Sequence, residues 1–463
     1  MLAPLAAAPL TVALPNAPPA RRVSHPAAAA AGLARRERYN RGVASYYLRN
    51  FGCRTNQAEG AEIEAQLRAA GLLRADAPTA DFIVLNTCTV TAEADADARA
   101  ALRRIQRENP AARVLVTGCY AQRAPAELRA LPGVEWVVGH AEKPAIAQLL
   151  LPAEALGAPP LAHTELGGRT RPNVKVQDGC NNRCAFCVIP SVRGASRSLP
   201  LPDVLAAIER HAQAGVAEVV LTGINLGQWG RDLVPRQRFA DLVRAILDRT
   251  ALPRLRLSSI EPMDWSDELL ELLASAPRIA PHAHVPLQSG SDAVLRRMHR
   301  RYRPWHYAEK VWRIRERLPQ AAIGADVMVG FPGETAAEFA ETERSLAALP
   351  LTYLHVFTYS SRPGTEAARR AADPRWQPVA ASVAAERSRR LHALAASKRA
   401  AFARACAGQP LAAVTLGDAH AGWTRALTGN YLDVLVAAEL PPNRCIQVQI
   451  AAADAEPLRA RLI

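Results

Sequence analysis

At roughly 100–200 residues per domain the 463-residue chain has room for two to four domains, which excludes a small disulfide-stapled scaffold. Hydrophobic residues are 49% and charged residues 22%, and every apolar run breaks well short of the ~20 residues that span a bilayer, so a soluble protein with no membrane partner is expected, and eight cysteines, too sparse for a disulfide framework, point to metal binding in a reducing cytoplasm. Arg and Lys outnumber Asp and Glu by 57 to 43, a formal +14 that admits a polyanionic partner such as nucleic acid, although only four of these cations are lysines (Lys143, Lys175, Lys310, Lys398) and this, with the abundant alanine, suggests a GC-rich genome that explains part of the excess.

Residues 1–44 carry six prolines by Pro26, an alanine run and six arginines against Glu37, and are expected to be a disordered extension. From Ser45 the pattern becomes orderly. Short β-branched and apolar runs at 45–50, 82–86, 113–117 and 134–138 are each followed by a turn or polar cluster and a helical stretch, which predicts a small parallel α/β domain over 45–150. Cys53, Cys88 and Cys119 each sit at, or within three residues of, the end of one of these strands. Parallel strands bring those ends to one sheet edge, where open α/β folds bind ligands. Three thiolates there suit an iron–sulfur cluster with one iron left open; buried structural cysteines are the other reading.

A Pro-, Ala- and Leu-rich connector over 139–170 ends in Gly167-Gly168. Strand-like runs then follow at 173–177, 218–222, 255–259, 284–288, 324–329 and 354–359, with helical segments such as 203–214 and 336–349 between them. Six successive βα units predict an open or incomplete (βα) barrel, with its chemistry at the carboxyl ends of the strands. Directly after the first of them stands Gln177-Asp178-Gly179-Cys180-Asn181-Asn182-Arg183-Cys184-Ala185-Phe186-Cys187, a C-x3-C-x2-C loop. A loop this short can wrap three thiolates around three irons of a 4Fe–4S cube, whereas zinc would want a fourth protein ligand that neither His163 nor His211 supplies at a usual spacing.

This loop, with an aromatic residue before its last cysteine, resembles that of radical S-adenosylmethionine (SAM) enzymes. Together with Cys53, Cys88 and Cys119 the chain from about residue 46 resembles the methylthiotransferases. The stretches Val188-Ile189-Pro190, Arg193-Gly194, Leu221-Thr222-Gly223-Ile224-Asn225, Ser258-Ser259-Ile260-Glu261-Pro262, His284-Val285-Pro286-Leu287-Gln288-Ser289-Gly290-Ser291, Gly330-Phe331-Pro332-Gly333-Glu334-Thr335 and Tyr359-Ser360-Ser361-Arg362-Pro363-Gly364-Thr365 carry the resemblance. It implies an N-terminal parallel α/β domain, a partial (βα)6 radical-SAM barrel over 165–395 and a small RNA-binding β-barrel of the TRAM type over 400–463.

The same resemblance implies two 4Fe–4S clusters, one on Cys53, Cys88 and Cys119 and one on Cys180, Cys184 and Cys187. The second would bind SAM and cleave it to a 5′-deoxyadenosyl radical; the first would supply the inserted sulfur. Phe186, Gly223, Asn225, Ser259, Glu261, Gln288 and Asp326 are the implied SAM contacts, and a flavodoxin- or ferredoxin-type protein the implied electron donor. The cysteine motifs are most similar to those of the group that methylthiolates N6-threonylcarbamoyladenosine at C2, beside the tRNA anticodon, although Arg54-Thr55 departs from the Lys-Val often found there. Sister groups act on N6-isopentenyladenosine or on a ribosomal-protein aspartate, and a catalytically idle iron–sulfur RNA-binding protein is the non-enzymatic alternative. Arg296, Arg297, Arg300, Arg301 and Arg303, with Tyr302 and Trp305 interleaved, form one candidate tRNA face. A second comprises Arg387, Arg389, Arg390, Lys398 and Arg399. Short strands at 411–416, 431–437 and 445–450 are expected in the last segment, where Cys406 and Cys445 are read as structural.

Overall fold

A computed structural model of the chain describes residues 44–151, 169–420, 422–453 and 457–463. The extension expected over 1–44, apart from its last residue, and positions 152–168 of the connector lie outside the described residues.

The first sheet contains β1 (Ser45–Asn50), β2 (Leu73–Arg74), β3 (Phe82–Thr87), β4 (Arg113–Gly118) and β5 (Val134–Val138), all parallel, in the order β2-β1-β3-β4-β5. Its central strand Phe-Ile-Val-Leu-Asn-Thr is wholly buried, as expected of a strand covered on both faces. Phe82 and Val84 pack with Ile63 and Leu67 of the helix Arg54–Ala69, while Ile83 and Leu85 pack with Leu102 and Ile105 of the helix Ala92–Glu108. Each such aliphatic side chain contributes roughly 1.5–3 kcal/mol on burial. Strand β2 is only two exposed residues long, too short to leave a periodic signal.

The six expected βα units are present. Strands β6 (Asn173–Asp178), β7 (Arg197–Ser198), β8 (Glu218–Gly223) and β9 (Arg254–Leu257) form one sheet in the order β7-β6-β8-β9, with the short β7 antiparallel. Strands β10 (His282–His284), β11 (Ala322–Val329) and β12 (Tyr353–Thr358) form a second, parallel sheet. Single backbone bonds bridge them, Ala280 N–H to Leu255 at 2.8 Å and Ile260 N–H to His284 at 3.0 Å. The fourth strand lies at 282–284, not at the expected 284–288. Pro286 has no N–H to donate and Gln288 takes a left-handed φ of +68°, so the ladder gives way to a bent segment, tied to β11 by Val285 N–H to Gly324 and Leu287 N–H to Asp326.

The helix Ala381–Cys406 leads to a closed barrel of β13 (Pro410–His420), β14 (Trp423–Thr428), β15 (Asp433–Val436), β16 (Cys445–Ala452) and β17 (Leu458–Leu462). The expected C-terminal β-barrel is therefore present, with β14 and β17 added. Both interleave arginine with their apolar residues (Arg425; Arg459 and Arg461), which dilutes a signal read from hydrophobicity alone. The fully buried Arg256 of β9 seats this barrel: it pairs with Glu218 at 2.7 Å and donates to the carbonyls of Thr428 at 3.1 Å and Gly429 at 2.9 Å.

Candidate functional site

Cys53, Cys88 and Cys119 follow β1, β3 and β4, three neighbouring parallel strands, and so share one sheet edge. Cys53 is the exposed N-cap of the helix Arg54–Ala69, Cys88 is buried, and Cys119 opens the short helix Cys119–Arg123. Gly52, at φ +81°, leaves the space between the first two: a Cβ there would lie 2.5 Å from the Cys88 Cβ and 2.6 Å from its sulfur. Buried amides hold the three loops in place. Asn56 donates to the carbonyls of Phe51 at 3.0 Å and Thr87 at 2.8 Å, and Asn86 donates to that of Asn56 at 2.7 Å. Burial raises the Cys88 thiol and pushes the Cys119 thiol up to about 12.

The second set lies on the loop after β6. Gly179 (φ +68°) makes the turn, where a Cβ would fall 2.0 Å from the Ala195 carbonyl oxygen. The loop is pinned by Cys180 N–H to Gly194, Ala185 N–H to Met298 and Cys187 N–H to Cys184, each 3.0 Å. Burial raises the Cys180 thiol and pushes that of Cys187 up to about 12. Arg300 donates to the Cys184 sulfur at 3.2 Å while its other nitrogen pairs with Glu261, and Asn182 N–H approaches the Cys180 sulfur at 3.4 Å.

The two sets meet. Val188, Ile189 and Val192, directly after Cys187, form one apolar cluster with Cys119, against which Cys180, Cys187 and Ile224 pack. Beside this cluster Arg193, with no exposed side-chain surface, donates to Asn56 at 2.6 Å, Glu59 at 2.7 Å and Asp178 at 2.9 Å, joining the first helix to the loop that follows β6. Lys143 and Lys175 also bind Glu59. Burial alone would raise the Glu59 carboxyl; Arg193, Lys143 and Lys175 together reverse this and hold it far below the usual range.

These residues fit clusters with three protein ligands. Each set offers three thiols, which leaves one iron of a 4Fe–4S cube without a protein ligand. The Oδ1 atom of Asn225 is buried without a partner, and its Nδ2 approaches the Cys180 sulfur at 3.9 Å, leaving an acceptor beside this set.

The other sequence-predicted contacts divide. Gly223 ends β8 against Gln177, whose Oε1 accepts the Asn225 N–H at 2.8 Å. Phe186 packs its ring edge-to-face on Phe331 at 6.5 Å, and the Gln288 Oε1 is buried without a partner. Glu261 spends its carboxylate on Arg300, so it reaches Cys184 through that guanidinium. Ser259 bonds His284, and Asp326, in mid-strand on β11, bonds His355 at 3.2 Å and lies 3.1 Å from His284. Sequence reasoning gave no role to Asn56, Glu59, His284 or His355; most of their partners are distant in sequence, as with Glu59 and Arg193 or His284 and Asp326.

The first arginine cluster is mostly not a free face. Arg300 and Tyr302 are buried, Arg297 pairs with Glu338 at 2.8 Å, and Arg296 and Arg303 share Asp292, which leaves Arg301 and Trp305 outward. In the second cluster Arg387 is buried on Glu334, Arg390 pairs with Glu343 and Lys398 donates to the carbonyls of Ala347 and Leu349. Carboxylates placed opposite by the fold neutralise charges that look unopposed in sequence. No helix among the described residues is long and apolar enough to cross a membrane.

The Radical SAM superfamily model matches residues 174–346, and the Uncharacterized protein family UPF0004 matches residues 45–139. The chain is 39% identical over 348 residues to the threonylcarbamoyladenosine tRNA methylthiotransferase MtaB of Bacillus subtilis, covering 71% of this chain and 76% of the relative. It is 38% identical over 341 residues to the tRNA-2-methylthio-N(6)-dimethylallyladenosine synthase of Acidothermus cellulolyticus, covering 70% and 69%. In fold it is similar to the radical SAM methyltransferase TsrM from Kitasatospora setae, with a TM-score of 0.50 and 17% identity over 67% of this chain and 74% of that one. With cysteines of both sets packed in one apolar cluster and relatives matched over most of their length, the chain belongs to the radical S-adenosylmethionine methylthiotransferases.

Proposed function

We propose that the enzyme methylthiolates C2 of N6-threonylcarbamoyladenosine in tRNA, beside the anticodon, with Cys180, Cys184 and Cys187 holding the cluster that binds SAM and Cys53, Cys88 and Cys119 holding the second. The observation that carries this reading is that Cys119 of one set and Cys180 and Cys187 of the other, from two separate sheets, pack in one apolar cluster with Val188, Ile189 and Val192. Relatives named as threonylcarbamoyladenosine enzymes, 39% and 36% identical, support the choice of base. Bound there, the clusters and SAM supply one-electron cleavage of a C–S bond and the sulfur that ends on the substrate.

The protein's own groups bind, orient and exclude water. Asn225 offers its unpartnered Oδ1 to the amino group of SAM, held in position by the bond from its N–H to Gln177. Gly223 lets the chain run close to Gln177, and Phe186, braced on Phe331, covers the cofactor. Arg300 donates to the Cys184 sulfur and offsets its thiolate charge. Val188, Ile189 and Val192 would exclude water from the space beside Cys119, Cys180 and Cys187, where the clusters would be held. In this reading 45–150 delivers sulfur, 165–395 generates the radical and 400–463 contacts tRNA.

Mass spectrometry of tRNA nucleosides from cells with and without the gene tests the proposal. Loss of the 2-methylthio form of threonylcarbamoyladenosine alone is expected. Loss of the isopentenyl form instead would reassign the base, in line with the 38% identical relative, and no change in either would overturn the tRNA reading.

A further inference from the structure

We propose that His284 Nε2, Asp326 Oδ1 and His355 Nδ1 form a third metal site, for a single divalent first-row cation, separate from both cysteine sets. The three atoms lie within 4.8 Å of one another. The Asp326 oxygen is 3.1 Å from the His284 nitrogen and 3.2 Å from that of His355. Cis ligands of an octahedral ion with bonds of about 2.1–2.2 Å stand about 3 Å apart, so little movement is needed to close around one.

His284 supplies an independent observation. Its side chain is 6% exposed, and Nε2 sits at hydrogen-bond distance from the carboxylate without hydrogen-bond geometry, buried and unpartnered. Its Nδ1 is engaged by the Ser259 hydroxyl. With the ring proton on that side, Nε2 turns a lone pair toward a carboxylate oxygen, which an intervening cation stabilises. A ligand histidine is ordinarily fixed in this way, its second nitrogen held by a hydrogen-bonding neighbour.

The site is built on strands, not loops. Asp326 of β11 is directly paired with His355 of β12, and His284 of β10 is paired with Gly324, two residues before Asp326 on the same face. Gly324 leaves room for the Tyr353 ring, which a Cβ there would meet at 1.9 Å; that ring stacks on His284 at 5.9 Å and packs on His355 at 5.2 Å, forming a floor. The His355 side chain is 52% exposed and that of Asp326 25%, so an ion can enter. Two imidazoles and one carboxylate suit iron(II), manganese(II), cobalt(II) or zinc(II), with positions left open for water or an oxygen ligand. The inference holds whichever base the enzyme modifies.

Manganese(II) is the probe, because thiolates compete poorly for it. The full-length protein with both clusters loaded is titrated with Mn(II) and the six-line signal of the free ion is followed by electron paramagnetic resonance. Quenching of one equivalent is expected, weakened on the order of tenfold or more by Ser259→Ala and further by His355→Ala or Asp326→Asn. His355→Ala alters a half-exposed side chain, and unchanged cluster iron and melting temperature verify its fold. A wild-type protein that leaves Mn(II) free, or a His355→Ala variant that binds it as tightly as wild type, overturns the proposal.

Discussion

Replacing Glu59 with Gln should destabilise the protein more than replacing Arg193 with Met, although the two face each other in one ion pair. The Glu59 side chain is 2% exposed, with Arg193 at 2.7 Å, Lys175 at 2.9 Å and Lys143 against its other oxygen. Glu59→Gln leaves Arg193 and Lys175 sharing Asp178 and sets the nearly enclosed Lys143 beside a neutral amide, and the cost of poorly compensated buried charge puts this at about 4 kcal/mol. Arg193→Met leaves Glu59 with two lysines, so the loss falls to about 3 kcal/mol, the low end for breaking a buried pair. Urea unfolding of both variants and the double mutant measures this, from midpoint shifts at a common slope and the coupling between the sites. A loss below about 1 kcal/mol for Glu59→Gln, or a larger one for Arg193→Met, would refute the reasoning. The pH dependence gives a second check. Glu59 is held far below its ordinary value of 4.5, so its contribution is complete above pH 4.5 and declines as pH falls below it; the gap between wild type and Glu59→Gln should narrow over that range.

Arg300→Met should retain its iron but lower the reduction potential of the cluster bound by Cys184, because a donor to a cluster sulfur is lost; SAM cleavage falls on the order of 10–100-fold, read by potentiometry and 5′-deoxyadenosine release. Gly52→Ala places a methyl group 2.5 Å from the Cys88 Cβ at a positive φ, costing about 1–2 kcal/mol in backbone strain. Iron and sulfide analysis of that variant should show roughly half the wild-type content, while SAM cleavage persists. In cluster-free protein the exposed Cys53 and Cys445 should alkylate before the others near neutral pH, with Cys119 and Cys187, both pushed up to about 12 by burial, protected; peptide mass spectrometry that finds Cys119 labelled as fast as Cys53 would contradict this.

Much of the candidate site was legible in the sequence because its cysteines are set locally. Cys180, Cys184 and Cys187 occupy one loop whose spacing alone brings three sulfurs together, and Cys53, Cys88 and Cys119 each follow a strand whose apolar run announces it. Parallel pairing of β1, β3 and β4 then makes their convergence a consequence of strand direction. The six βα units were readable for the same reason, except where Pro286 and the left-handed Gln288 moved the fourth strand.

Other features depend on which surfaces pack. Arg193 reaches Glu59 across 134 residues, and His284, Asp326 and His355 meet only because β10, β11 and β12 lie side by side in register. The arginines after the fourth strand show the converse: in sequence they are a basic cluster, but in the fold Glu261, Glu338 and Asp292 stand opposite four of them. Spacing along the chain determines which groups a single loop or strand edge can present. Whether a charge is spent on a partner, or a histidine nitrogen is left buried and unpaired, is decided by sheet and helix packing, because those interactions act over a few ångströms between residues tens to hundreds of positions apart.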